Sequence, residues 1–333
     1  MITQKICFFF RHLLSSTIFL LFTLIVMLSF YSIYPGPLNN ESIFLLPANT
    51  SINNISNNLA KQGFIRSPRL FFLIARLIAV KYPLKSGEYL IPHHSSPYQI
   101  LKILHLGKSI IHKITIVEGS TTKEAIDKIN QLINLSGSIK TNIPEGHLLP
   151  STYYFSYNED RQKLIELISD SLIKELNKLM PNLDASSPIK TKEEVLTLAS
   201  IVEKEAYLEE EKTIIASVFL NRIKANMPLQ ADPTVIYAIS LGQFKLDRTL
   251  TKKDLQINSP YNTYQNTGLP PGPICLPSLT SIKAVIKPVK TDFLYFVATE
   301  NNKHNFASNL SQHNTNVEKY RKLQKQKNTK LHK

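Results

Sequence analysis

The chain has 333 residues, 43% apolar and 19% charged, which is ordinary globular composition and excludes a disordered or fibrous protein. Its formal charge is +14, from 39 basic against 25 acidic side chains, but seven of the basic residues crowd into Lys319 to Lys333. That stretch holds Tyr320 as its only aromatic residue, so it reads as a solvated basic extension near an anionic surface and not as a nucleic-acid arm.

From Leu13 to Tyr34 the chain carries no charge, which is long enough to span the roughly 30 Å hydrocarbon core of a bilayer. Lys5, Arg11 and His12 precede this stretch, and Pro35-Gly36-Pro37 and Glu41 follow it. The bias predicts a cytoplasmic N-terminus (1–12), a transmembrane anchor (13–34) and an extracytoplasmic remainder. No small-x-small cleavage site ends the apolar run, so it is expected to stay attached. Cys7 and Cys275 lie on opposite sides of the anchor. No disulfide is expected, and two cysteines cannot build a cysteine-based zinc site.

Residues 43–118 read as a small α/β domain. Ile43 to Leu46 is a strand, and Thr50 is expected to cap a helix carrying Ile52, Ile55 and Leu59. Ser67-Pro68 opens a second helix, because serine caps well and proline suits the first turn. Gly87 to Ile91 is a strand, Ser96-Pro97 opens a short helix that Gly107 stops, and Ile111 to Val117 alternates as a strand.

Residues 119–320 read as a larger mixed α+β domain, followed by a basic tail (321–333). Thr121 with Glu124 forms a capping box. A long amphipathic helix over 159–180 places Leu164, Leu167, Ile168 and Leu172 on one side. Thr191 with Glu194 opens another helix, a further one covers 209–225, and Phe293 to Ala298 is a late strand. Between them lie turn-rich segments: Met227-Pro228, Asp232-Pro233, Ser259 to Asn262 and Gly268 to Pro273. They are expected to be loops around a site.

The helix opened by Thr191 carries Glu203 and Glu205 in an apolar setting. On a helical wheel Val195, Leu198, Ala199, Val202 and Ala206 centre one face, with Glu205 about 70° from the centre and Glu203 about 90° on the other flank. Both carboxylates border the core without facing each other, and Lys204 points to solvent. Each glutamate either pairs with a nearby cation, such as Arg222, or has its pKa raised as a general acid requires. Gln230, Asp232, Tyr261, Asn262, Thr263 and Tyr264 carry groups that hydrogen-bond sugar hydroxyls and amides. Tyrosine rings also offer an apolar face to a sugar. Asp232 alternatively caps a helix with Pro233 at its first position. His304 and His313 lack a third ligand at a recognisable spacing, so no metal is expected.

The strings LTLASIVEKEA (196–206), ASVFLNRI (216–223), PLQADPTVIYA (228–238), SPYNTYQNTGLPPGPI (259–274) and YFVATENNKHNFASNLSQHN (295–314) together resemble the YceG-like family of endolytic murein transglycosylases. Glu145-Gly146 with Leu149 to Tyr153 resembles a further block. The resemblance implies a LysM-like, glycan-binding small domain and a catalytic domain that cuts the MurNAc-β-1,4-GlcNAc bond to leave 1,6-anhydro-MurNAc ends. It implies one essential carboxyl and no cofactor or metal. Residues 199–206 are similar to the Ile-x-x-Gln-Glu-Ser signature of other lytic transglycosylases, in which the acid is the last carboxylate before the small residue. That carries the acid/base role onto Glu205, with Glu203 as a supporting or substrate-contact residue and the reserve candidate for the acid. The small residue here is Ala206, so the usual hydroxyl is missing. The implied partners are peptidoglycan glycan strands, the bacterial cytoplasmic membrane and peptidoglycan synthases. The rival expectations are a catalytically silent peptidoglycan-binding scaffold and a hydrolase pairing Glu205 with Glu203 or Asp232.

Overall fold

The computed structural model describes residues 2–299 and 303–331, and side chains over 11–299 and 303–322. Cys7 and most of the basic side chains of the 321–333 tail lie outside the described side chains.

The chain divides into two compact units, Met1–His112 with Phe155–Asn158, and Lys113–Tyr154 with Glu159–Lys333. In the first, helix α1 (Ile2–Ile33) is followed by β1 (Ser42–Leu46), α2 (Ile52–Lys61), α3 (Pro68–Ala79), β2 (Gly87–Ile91) and α4 (Pro97–Leu106). Among the described residues, α1 contains the one span long and apolar enough to cross a membrane, Arg11–Ile33. Its last turns meet the unit, where the Tyr31 hydroxyl donates to the Ser67 carbonyl at 2.9 Å.

β1 and β2 pair antiparallel from Ser42↔Ile91 to Leu46↔Gly87, with α2 and α3 between them in sequence. Phe44, Leu59, Phe71, Tyr89, Ile91 and Leu104 fill the core between sheet and helices. The local signals act as expected at Ser67 and at Ser96, whose capping box with Gln99 is complete. Gly107 ends α4 with φ 69°, a left-handed conformation that suits glycine. The expected cap of α2 is corrected by one residue. Ser51 is extended and accepts from the Asn54 amide at 3.3 Å, whereas the Thr50 hydroxyl is already turned back onto the Pro47 carbonyl at 2.8 Å.

Next come β3 (Ile111–Thr115), α5 (Thr122–Asn130), β4 (Leu135–Ser136), β5 (Thr152–Ser156), β6 (Glu159–Asp160), α6 (Arg161–Leu179), α7 (Lys192–Glu205), α8 (Lys212–Lys224), α9 (Asp232–Ser240), α10 (Leu279–Ile286), β7 (Tyr295–Ala298), β8 (His304–Ala307) and α11 (Leu310–Leu331). β3 pairs with β5, β4 with β6, and β7 with β8. The chain is thus mixed α+β.

The core of the second unit is helical. α7 lies against α8 and α10, and Leu198, Ile215, Phe219, Ile282 and Val285 are fully enclosed. α7 is buried on every side from Val195 to Val202, so it has no single apolar face. Its capping box, Thr191 with Glu194, is complete, as is that of α5, Thr121 with Glu124. On α6 the core stripe is Leu164, Ile165, Ile168, Leu172 and Leu176, while Leu167 is 49% exposed. The expectation that Leu167 joins the stripe is corrected: it sits one position to the solvent side.

Candidate active site

The C-terminal end of α7 carries the two glutamates into different surroundings. Glu203 is an anchored carboxylate. Its Oε2 accepts from the Ser278 amide at 3.0 Å, the Ser278 hydroxyl at 2.5 Å and the Ser281 hydroxyl at 2.6 Å. The Lys212 ammonium donates to Oε1 and Oε2 at 3.3 and 3.2 Å, and also to Ser278 Oγ and Thr280 Oγ1. The Glu203 and Lys212 side chains are each only 8% exposed. Burial alone would raise the pKa of Glu203. The hydrogen bonds from Ser278 and Ser281 and the charge of Lys212 outweigh it, so the group is held below the usual carboxylate value. The cation paired with Glu203 is thus Lys212 and not Arg222.

Glu205 is the last residue of α7, with Ala206 as the C-cap. Burial pushes its pKa up to about 7; the nearby charge of Asp232 adds to the rise, and Arg222 partly opposes it. Arg222 is itself buried, and it is fixed by backbone acceptors. Its Nε donates to the Leu294 carbonyl and its Nη1 to the Leu229 carbonyl, both at 2.7 Å. Its guanidinium lies 5.5 Å over the Tyr295 ring, and that ring stacks on His313 at 5.1 Å. The guanidinium therefore faces Glu205 as a fixed positive charge, without a hydrogen bond between them.

Asp232 is exposed at the start of α9 and accepts from the Tyr264 hydroxyl at 2.6 Å. The cap reading of Asp232 is corrected: Ala231 is the N-cap, Asp232 is the first helical residue, and its carboxylate is turned to Tyr264. Burial and the Asp232 charge both push the Tyr264 phenol up, so it stays a donor. Gln230 is exposed and left-handed, at φ 50°, and its backbone amide donates a hydrogen bond to the Thr263 carbonyl at 3.1 Å.

Asn262 and Thr263 do not face outward to hydrogen-bond a sugar. Asn262 is fully buried, and its Nδ2 donates to the Leu255 and Ile257 carbonyls at 3.1 and 2.8 Å. Thr263 Oγ1 accepts from the Ala231 amide at 3.1 Å and lies 2.8 Å from Thr234 Oγ1. They support the loop that presents Tyr264 and Gln230. Tyr261 sits apart from Tyr264, packed on Tyr237 at 4.8 Å between ring centres. Glu145 lies near this tyrosine pair. It is raised by burial and held by the Thr122 and Gly146 amides at 2.7 and 3.2 Å. His304 is taken up by Glu211, Nδ1 to Oε2 at 2.7 Å.

Sequence reasoning missed Lys212, Ser278 and Ser281. A buried-looking lysine at the start of a helix was the only available signal, because the serines lie 75 and 78 positions from Glu203. The segment reaching them runs along α7. The Ile274 amide donates to Ser200 Oγ at 3.0 Å, and the buried Cys275 thiol to the Ser200 carbonyl at 3.4 Å.

A model of the YceG-like family matches residues 44–319, and the chain belongs to that family. It is 36% identical over 313 residues to the endolytic murein transglycosylase of Bacillus subtilis (strain 168), covering 83% of each chain. It is 28% identical over 323 residues to the protein of the same name from Streptococcus pneumoniae serotype 2 (strain D39), covering 82% of this chain and 57% of the longer relative. The 2.6 Å crystal structure of a yceG-like protein from Listeria monocytogenes superposes with a TM-score of 0.52 at 31% identity, over 83% of this chain and 99% of that one.

Two stability predictions follow from the contrast between the glutamates. Lys212→Ala should destabilise by about 3–5 kcal/mol in urea denaturation, because it leaves a buried carboxylate without its cation. The stability that Glu203 contributes is present above its unfolded pKa and is lost as pH falls through its depressed folded value. Glu205 has the opposite sign. Its folded pKa of about 7 exceeds the ordinary glutamate value of 4.5, so stability is lost as pH rises from 4.5 through 7. Glu205→Gln should therefore be more stable than the parent at neutral pH, by up to about 3 kcal/mol, and should show no gain at pH 4.

Proposed function

We propose that the protein is a lytic transglycosylase that cuts within peptidoglycan glycan strands, with Glu205 as the one carboxyl that acts first as acid and then as base. The observation that carries this reading is the division of labour at the end of α7. Glu203 is pinned as a carboxylate, whereas Glu205 is raised to about 7 and is half protonated at neutral pH. The family and the name shared by the relatives support the substrate class.

In the first half of the reaction, protonated Glu205 gives its proton to the glycosidic oxygen between MurNAc and GlcNAc as the bond to the anomeric carbon breaks. The carboxylate left behind accepts the proton of the MurNAc C6 hydroxyl. That oxygen closes onto the same anomeric carbon to give the 1,6-anhydro ring. No water enters, and the nucleophile is already attached to the reacting sugar, so proximity supplies much of the rate. Positive charge grows on the sugar ring as the bond breaks, and the Asp232 carboxylate, whose charge reaches Glu205, would offset it. Tyr264, held by Asp232, and Gln230 are the exposed or half-exposed groups suited to sugar hydroxyls.

The rest of the assignment accords with this chemistry. The apolar span Arg11–Ile33 would anchor the chain in the cytoplasmic membrane, with the N-terminus inside and the remainder facing the wall. The β1-α2-α3-β2 order supports a LysM-like, glycan-binding role for residues 43–118. Residues 119–320 would form the catalytic domain. Peptidoglycan synthases are suited partners for an enzyme that trims new strands.

Purified glycan strands incubated with the detergent-solubilised chain and analysed by mass spectrometry should give anhydro-ended fragments. Glu205→Gln should lower the rate by at least about a thousandfold, while Glu203→Gln loses stability first. Reducing-end products would point instead to a hydrolase pairing Glu205 with Asp232, and uncut strands to a binding scaffold.

The pH profile gives a separate check. Because the acid must start protonated, kcat/KM should fall as pH rises through about 7. Asp232→Asn removes a charge that raises Glu205, so the falling limb should move to lower pH. An unmoved limb would detach Asp232 from Glu205.

A further inference from the structure

A cleft of about 1010 Å³ in the second unit plays no part in the chemistry above. Half-buried Leu179 from the end of α6, half-buried Pro288 and exposed Val289 give it apolar surface, backed by the buried Leu220 of α8 and Val285 and Ile286 of α10. Lys224, Lys283, Lys287 and Lys290 stand around it against a single carboxylate, Asp184. That carboxylate is already engaged: Oδ1 accepts from the Ser186 amide and hydroxyl, each at 2.8 Å, and Oδ2 lies 3.8 Å from Lys290. Among the described residues, Lys224, Lys283 and Lys287 take part in no ion pair. The cleft therefore presents three lysines outside these ion pairs, of which Lys224 also lies in the field of Asp184, beside an apolar surface.

One wall is the chain after α10. Residues 288–291 belong to no helix or strand. The segment is pinned at Thr291, whose carbonyl accepts from Asn221 Nδ2 at 2.8 Å and whose hydroxyl lies 2.8 Å from Ser217 Oγ. Ahead of that pin, the Val289 and Lys290 amides make no backbone hydrogen bond among the described residues. The Val289 side chain is 49% exposed. Unpaired backbone of this kind is a template for an added strand, and proline and lysines usually guard such an edge. Here the guard is selective: lysines repel a basic strand and attract an acidic one.

The layout argues for a chain rather than a compact anion. The lysines come from α8, α10 and the following segment, and no arginine fork lines the cleft to clamp a compact anion, whereas the open amides of residues 289 and 290 suit a peptide backbone. An extended peptide, whose successive side chains alternate, would set apolar groups on the wall and carboxylates on the rim while its backbone pairs with residues 289 and 290.

We infer that this cleft docks an extended acidic segment of a partner protein, by strand addition along residues 288–291 and ion pairing to Lys224, Lys283 and Lys287. Arg222, which faces Glu205, and Lys224 are two residues apart on α8 and so point about 200° apart around it. Docking there leaves the reacting carboxyl open.

The probe is a short fluorescein-labelled peptide alternating Glu with Val, added to the full-length chain in detergent micelles and followed by fluorescence anisotropy. It should bind, weaken with added salt, and slow amide hydrogen exchange at Val289 and Lys290. Lys224→Glu/Lys283→Glu/Lys287→Glu should weaken it at least about tenfold, with thermal unfolding and glycan cleavage unchanged. The inference is overturned by absent binding, by equal binding to the triple variant, by equal binding of a Lys-Val peptide, or by unchanged exchange at 289 and 290. Phosphatidylglycerol vesicles or inorganic phosphate that displace the peptide through the same lysines would overturn it in favour of a lipid or phosphate surface.

Discussion

Glu203 holds the second unit together at the point where its helices meet. A carboxylate taken out of water costs several kcal/mol unless its oxygens are satisfied. Here they receive the amide and hydroxyl of Ser278, the hydroxyl of Ser281 and the ammonium of Lys212. Ser278 is also the N-cap of α10, and Lys212 is the first residue of α8. One acceptor group thus fixes the ends of α7, α8 and α10 against each other. Breaking any of its bonds leaves a charge exposed to a dry interior, which is why the ends of these helices are so closely constrained.

That constraint sets the character of Glu205. Two residues along the same helix turn it to a different side, where burial offers no hydrogen-bond donors to its carboxyl among those found for Glu203. The cation that acts on it, Arg222, is occupied with the carbonyls of Leu229 and Leu294 and influences Glu205 through its field. Asp232 acts in the opposite sense. The same helix end therefore makes one carboxylate that stays ionised and one carboxyl that holds its proton near neutrality. A pair of adjacent carboxyls with pKa values pushed apart is a familiar basis for assigning acid and structural roles.

Much of this was visible in the sequence where the governing interactions are local. Ser67, Ser96, Thr121 and Thr191 cap helices through atoms three residues away, so their patterns can be read directly. The slip at Thr50 has the same local origin, because two neighbouring hydroxyls compete and only the backbone geometry of Ser51 decides between them. The site is less legible. A helical wheel shows that Glu203 and Glu205 occupy different flanks, but what each flank meets comes from residues up to 78 positions away. Asn262 and Thr263 carry the same chemical groups as residues that bind sugars. Their burial, and their commitment to the backbone of Leu255, Ile257 and Ala231, arise only once the 255–263 loop has closed on α9.

The absence of a hydroxyl at position 206 can be weighed in the same terms. Ala206 is the C-cap of α7, it is 7% exposed, and its amide closes the helix on the Val202 carbonyl at 2.8 Å. A hydroxyl there would offer the neighbouring carboxyl a hydrogen bond that favours its ionised form and lowers its pKa. Alanine withholds that bond, leaving burial and Asp232 opposed only by Arg222. Alanine at this position thus leaves the pKa of Glu205 raised, while its backbone closes α7 where the chain leaves the helix.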